Sequence, residues 1–94
     1  MVFIYGGGFQ AGSSSDVMIE GYNYAQHFNT VFVTFNYRLG CLGFLGASQF
    51  TLENATLPTT GNWGIFDQQM ALRWVQENIY KYIFRFSSIL SGIK

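Results

Sequence analysis

Residues 2–5 read VFIY and are stopped by three glycines at positions 6–8. A continuous apolar run of β-formers bounded by glycine predicts a strand buried on both faces, because alternation disappears when neither face meets water. Residues 6–16 are rich in Gly, Ser and Asp and predict a loop. Residues 20–28, EGYNYAQHF, place Tyr24, Ala25 and Phe28 on one helical face, although Gly21 and two asparagines, Asn23 within the stretch and Asn29 just after it, oppose a helix there. Residues 31–35, VFVTF, form the clearer second strand, filled with β-branched and aromatic side chains. Strand, helix, strand in that order predicts a parallel pair joined by a right-handed crossover.

The pattern then loosens. Residues 36–60 hold three glycines, Pro58 and a polar TLENATLPTT, the make-up of an irregular surface loop. Asn62 stands where it can cap the next element. That element, residues 65–80, is the strongest helix, with one stripe of Phe66, Met70 and Trp74 and another of Ala71, Val75 and Ile79. Two stripes predict a helix covered on two sides. Asp67 is expected in its first turn, where the helix dipole favours negative charge, and Arg73 with Glu77 as a surface pair of small value. Residues 81–94, KYIFRFSSILSGIK, are β-prone around positions 82–86 and contain no acidic residue. Neither an internal repeat nor a linker is visible.

Composition sharpens this picture. Of 94 residues, 49% are hydrophobic and 19% aromatic while 11% are charged, so much of the chain needs covering. Five basic and five acidic residues cancel, which leaves no electrostatic footprint for nucleic acid or anionic lipid. No apolar run reaches the length of a membrane span, and Met1 opens directly onto VFIY without the basic head and cleavage site of a signal peptide. On that reading the chain is cytosolic or its true beginning is missing. Cys41, the single cysteine, rules out an internal disulfide and a cysteine-built metal site and reads as a small buried hydrophobe. Asn54-Ala55-Thr56 is a glycosylation triplet that matters only in a secreted chain.

The three glycines carry the candidate chemistry. Gly6, Gly8 and Ala11 satisfy the G-x-G-x-x-G/A dinucleotide fingerprint after a strand. That motif must open straight into a helix and be followed by an acidic residue closing the second strand. Here GSSSD intervenes and the second strand ends in Phe35-Asn36. A single tight turn seldom needs three consecutive glycines. Adjacent backbone N–H groups free of side chains suit an atom that approaches closely, and such paired donors stabilise the oxygen of a tetrahedral intermediate in acyl transfer.

Three segments in order, VFIYGGGFQAGSS, VFVTFNYRLGCLGFL and GNWGIFDQQMALRWVQENI, resemble the signature segments of the type-B carboxylesterase/lipase family, which includes the cholinesterases. The similarity covers positions 1 to about 79. It implies the α/β-hydrolase fold and a serine, acid and histidine triad. By position in the motif, Gly7 and Gly8 resemble the family's oxyanion-hole donors. Tyr5, where many members carry histidine, is what cholinesterase-like members have.

After WVQENI the family continues to a G-x-S-x-G elbow, whereas this chain reads YKYIFRFSSILSGIK. The near misses, Gly12 to Asp16 and Gly46 to Phe50, lack the final glycine and read as loop serines. His27 reads as structural, Trp63 and Trp74 as packing residues, and Gln10 as a residue that can line a pocket in the complete fold. Arg38 is expected to hold the strand end by pairing with a buried carboxylate that the sequence alone does not identify.

The expectations are these. The fold class is α/β, a partial α/β-hydrolase fold of mainly parallel strands and crossover helices, with residues 1–80 a carboxylesterase segment and 81–94 a divergent tail. The parent function is serine carboxylic-ester hydrolysis, with Gly7 and Gly8 in the oxyanion hole and the isolated chain inactive because serine, acid and histidine are all missing. The partner is a small carboxylic ester, with no cofactor, no metal, no nucleic acid and no membrane span. A secreted or extracellular location is implied by the resemblance alone. Two rivals remain open: a cholinesterase-like cell-adhesion or protein-binding module that has lost catalysis, and a remnant unable to fold alone.

Overall fold

The computed structural model describes residues 1–52, 56 and 60–92. Two short strands, β1 (Val2–Phe3) and β2 (Val33–Thr34), pair in parallel with Val2 opposite Val33 and Phe3 opposite Thr34. The helix α1 (Met18–Phe28) connects them, preceded by a 3-10 turn at Ser14–Val17. The strand-helix-strand order expected from the pattern is therefore present, with a parallel pair. Both strands are shorter than the apolar runs that predict them. Val2 and Phe3 are half-buried and Ile4 is exposed, so β1 is not buried on both faces. A parallel strand needs helices on both sides of a sheet, and the described residues supply only a two-stranded one.

Gly21 earns its place in α1 by packing. A methyl group there would lie 2.5 Å from the Phe32 ring, so the residue that costs helix propensity lets α1 approach the second strand segment. Phe32 stacks on Phe3 at a centroid distance of 6.0 Å and meets Tyr24 at 6.1 Å.

The stretch read as irregular contains a short helix, α2 (Gly40–Phe44), and a 3-10 turn at Ser48–Leu52. Its polar part, including Asn54 and Pro58, lies outside the described residues. Cys41 is exposed on α2, not buried, because this five-residue helix turns its close-packed side toward Arg38 through Gly43.

The last element, α3 (Trp63–Gly92), is nearly twice as long as the periodic segment that announces it. Residues 82–86, β-prone by composition, are helical. Once a helix is nucleated each further residue adds one hydrogen bond, and β-propensity reflects packing against neighbouring strands, which this segment does not have among the described residues. Asn62 meets α3 through its backbone carbonyl, which accepts from the N–H groups of Ile65 and Phe66 at 3.0 and 3.1 Å.

Coverage of α3 is one-sided. Ala71, Val75 and Ile79 are half-buried, whereas Met70 is 72% exposed and Trp74 47% exposed. No ion pair joins Arg73 to Glu77 among the described residues; arginine N-terminal to glutamate is the weaker order for such a pair. Among the described residues no helix is long and apolar enough to cross a membrane.

Candidate functional site

The turn that follows β1 is built on the Gly7 carbonyl, which accepts hydrogen bonds from the N–H groups of Gln10 at 3.1 Å and Ala11 at 3.2 Å. Three successive residues take positive φ: Gly7 at 134°, Gly8 at 61° and Phe9 at 62°. At Gly7 a side chain would also collide with the Ala11 carbonyl, so only glycine fits. Phe9 pays the steric penalty of a left-handed conformation, about 1–2 kcal/mol, and is held there from both ends. Its carbonyl accepts from the Gly40 N–H at 2.7 Å, and its ring lies 4.7 Å from that of Phe44.

Gly7 and Gly8 are exposed, and among the described residues neither amide donates a hydrogen bond to the protein. The turn thus uses the carbonyl of Gly7 and leaves two neighbouring N–H groups unspent. Gln10 is exposed beside them and contributes its backbone N–H to the turn.

Residues that the sequence reading passed over fix this loop to the strands. The Ser14 N–H donates to Asn36 Oδ1 at 2.9 Å, tying the far end of the loop to the segment after β2. Beneath the loop, Tyr5 and Tyr37 are the buried pair of the described chain, with rings stacked 4.8 Å apart. The Tyr37 hydroxyl donates to the Tyr5 carbonyl at 2.8 Å. The Tyr5 hydroxyl reaches the Tyr37 carbonyl and N–H at 3.5 Å, a much weaker contact. Burial, and then the neighbouring Tyr5, push the Tyr37 phenol above its ordinary value. The one signal for this pair in the sequence is that each tyrosine lies shortly after its strand, Tyr5 two residues beyond β1 and Tyr37 three beyond β2.

Arg38 has its carboxylate. Asp67 of α3 accepts from the Arg38 Nε at 2.8 Å, from Nη2 at 2.8 Å and from the backbone N–H at 2.9 Å. The pair is part-exposed and not buried: the arginine side chain is 50% and the aspartate 27% accessible. Asp67 stands in the second turn of α3, since the helix begins at Trp63, so its charge answers Arg38 more than the helix terminus. The hydrogen bond from the Arg38 side chain holds the Asp67 carboxyl below its usual range, and the same bond raises the guanidinium. The Arg38 guanidinium also lies 5.9 Å over the Trp63 ring, which packs on Phe66.

The remaining sequence candidates fall away from this loop. His27 is exposed and sits edge-on to Phe28 at 4.9 Å. Trp74 contacts Tyr82 at 6.0 Å. Ser14 and Ser48 lie in 3-10 turns, not at a strand-to-helix elbow. The dinucleotide reading fails on geometry as well, since α1 begins at Met18, well past the glycines. No cluster of three or more potential metal ligands occurs among the described residues.

A parallel strand pair joined by a helix, with a glycine turn directly after its first strand, defines an α/β protein whose backbone amides are offered at a strand end. The family model of the carboxylesterases, described as "Carboxylesterase family", matches residues 1–82. The chain belongs to the carboxylesterase family, whose α/β-hydrolase architecture agrees with the parallel pair and helices seen here. It is 46% identical over 82 residues to an acetylcholinesterase of Myxine glutinosa, covering 87% of this chain and 22% of that protein. Over 79 residues it is 49% identical to a cholinesterase of Mus musculus, covering 84% and 12%. An acetylcholinesterase of Danio rerio is 46% identical over 80 residues, covering 85% and 12%. The chain thus spans 12 to 22% of the length of these relatives. No solved structure matches it.

Proposed function

We propose that this chain is the oxyanion-hole segment of a serine carboxylic-ester hydrolase. In that reaction a serine hydroxyl attacks the ester carbonyl, the carbonyl oxygen gathers negative charge, and collapse of the intermediate expels the alcohol and leaves an acyl-serine for water to cleave. The N–H groups of Gly7 and Gly8 hold that oxygen. Donors preorganised on the backbone need not reorganise as charge develops, so losing one typically costs about 10²- to 10³-fold in rate.

The observation that carries this reading is that the Gly7 and Gly8 amides donate to no group of the protein among the described residues, in an exposed turn closed through the Gly7 carbonyl. Cholinesterase relatives at 46 to 49% identity support the same chemistry and point to a small ester as substrate. Serine, acid and histidine do not occur in this chain in the family's motifs, so the 94-residue chain by itself turns over no ester.

The test is a pair of proteins. The purified chain should not hydrolyse a simple aryl ester. A chimera in which residues 1–82 replace the matching segment of the mouse cholinesterase should hydrolyse it, and should be silenced by a serine-directed organophosphate. A folded chimera without activity, or organophosphate-sensitive turnover by the isolated chain, refutes the assignment.

A further inference from the structure

The Gly7 carbonyl and the Gly8 N–H belong to one planar trans peptide unit and point in opposite directions. Whatever fixes that carbonyl therefore aims the Gly8 amide. The N–H groups of Gln10 at 3.1 Å and Ala11 at 3.2 Å fix it, and the bond from Gln10 closes a four-residue turn with Gly8 and Phe9 at its centre. Both central residues have positive φ, 61° and 62°, as a type I′ turn requires. Glycine or asparagine is favoured at the second of those places, because a β-carbon there crowds the following carbonyl oxygen. Phenylalanine occupies it here. Left to itself Phe9 would return to negative φ, swinging the Gln10 and Ala11 N–H groups off the Gly7 carbonyl.

Two contacts with α2 hold it in place. The Gly40 N–H donates to the Phe9 carbonyl at 2.7 Å, and the Phe44 ring lies 4.7 Å from the Phe9 ring, tilted 47° to it. The Phe44 ring has no room to retreat, since it sits so close over Gly64 of α3 that a methyl there would fall 2.6 Å from it. Gly43 seats α2 directly on the Arg38 backbone, whose N–H is held by Asp67 of α3. Every contact in this train is made within the chain, between residues 7 and 67. The attraction of such a ring pair is of the same order as the left-handed penalty and so can offset it.

We propose that Phe44 is a positioning residue for the oxyanion-hole amide of Gly8. It acts through Phe9, whose left-handed conformation it holds, and so keeps the Gly7 carbonyl inside the turn and the Gly8 N–H directed away from it. This assignment rests on the oxyanion-hole reading above and adds α2 and the first turn of α3 to the machinery. It also gives a reason for phenylalanine where glycine would be easier. Glycine takes φ of either sign about equally, so a fourth consecutive glycine would leave the turn free to invert. A strained residue locked by its ring has one conformation.

The experiment uses the chimera carrying residues 1–82 in the mouse cholinesterase, with steady-state kinetics on an aryl ester and hydrogen exchange of the segment 6–12. Phe44→Ala should lower kcat about 3- to 10-fold with KM within about twofold, because a misdirected donor is missed only by the charge of the transition state. The segment 6–12 should then exchange at least about threefold faster while the segment 66–80 of α3 keeps its rate. Phe9→Ala, which keeps the strain and drops the ring, should do the same without altering α2. Phe9→Gly drops ring and strain together, and its kcat should be at least about threefold higher than that of Phe9→Ala although it removes no less packing. On the Phe9→Gly background, Phe44→Ala should cost less than about twofold in kcat. A role confined to packing gives the same loss on both backgrounds. That result overturns the proposal, as does unchanged exchange of the segment 6–12 in both alanine variants, or a loss carried by KM alone. Faster exchange at unaltered kcat upholds the clamp and sinks the oxyanion-hole reading instead.

Discussion

Asp67 holds Arg38 at three points, accepting from the backbone N–H and from two guanidinium nitrogens, and so fastens the chain after β2 to the second turn of α3 across 29 residues of sequence. The bidentate fork is the geometry at which arginine differs from lysine. Because the Arg38 side chain is half-accessible, solvent screens part of the attraction. Asp67→Ala should cost about 1–2 kcal/mol, and Arg38→Lys nearly as much, in urea unfolding at constant slope. Equal stability of Arg38→Lys and the unaltered chain would mean that the fork contributes nothing beyond charge.

The same pair sets an acid limb. Asp67 has a lowered folded-state pKa, caused first by the Arg38 side-chain hydrogen bond, so its contribution is complete above the unfolded carboxylate value of about 3.9 and is lost as pH falls through the folded one. The stability difference between the unaltered chain and Asp67→Asn should be flat from pH 7 to about 5 and shrink below about 4. Denaturant midpoints across that range measure it.

Tyr37 and Tyr5 differ in what their hydroxyls do. Tyr37→Phe strips the buried Tyr5 carbonyl of a 2.8 Å donor and should cost about 1–2 kcal/mol, whereas Tyr5→Phe loses only contacts at 3.5 Å and should cost at most about 0.5 kcal/mol. The raised Tyr37 phenol adds a sign. Its stabilising contribution is full below the unfolded value of about 10 and declines as pH rises toward the folded one, so the Tyr37→Phe deficit should narrow in alkali.

Gly64 touches the same structural knot. A methyl there would lie 2.5 Å from the Arg38 carbonyl oxygen and 2.6 Å from the Phe44 ring. Gly64→Ala should therefore destabilise by about 1–3 kcal/mol, despite the better helix propensity of alanine. A thermal melt that rises instead would show that α2 and α3 can separate freely.

Gly7 tests the proposed chemistry. With φ at 134° and the Ala11 carbonyl in the way of a side chain, Gly7→Ala must rebuild the turn. In the cholinesterase chimera it should lower kcat about 10²- to 10³-fold while changing KM little, because the donors act on charge that exists only in the transition state. A substitution that raised KM alone would assign the loop to substrate binding.

The elements themselves were legible from residue order. Apolar runs of β-formers at 2–5 and 31–35 located both strands, helical spacing located α1 and most of α3, and the family segments located the glycine turn, because each is a local pattern that needs no partner to be read. Tertiary contact decided the rest. Lack of neighbours to pair with cut the strands to two residues apiece and left helix propagation to carry α3 through the β-prone segment after Tyr80, and the packing that did form left exposed Cys41 and the Met70–Trp74 stripe that hydrophobicity alone would bury. The partner of Arg38 was likewise unreadable, since a carboxylate 29 positions away looks in sequence like any other helix residue. Periodicity reports which face a residue shares; only the folded backbone fixes which distant atoms arrive opposite it, because that depends on how separate elements pack.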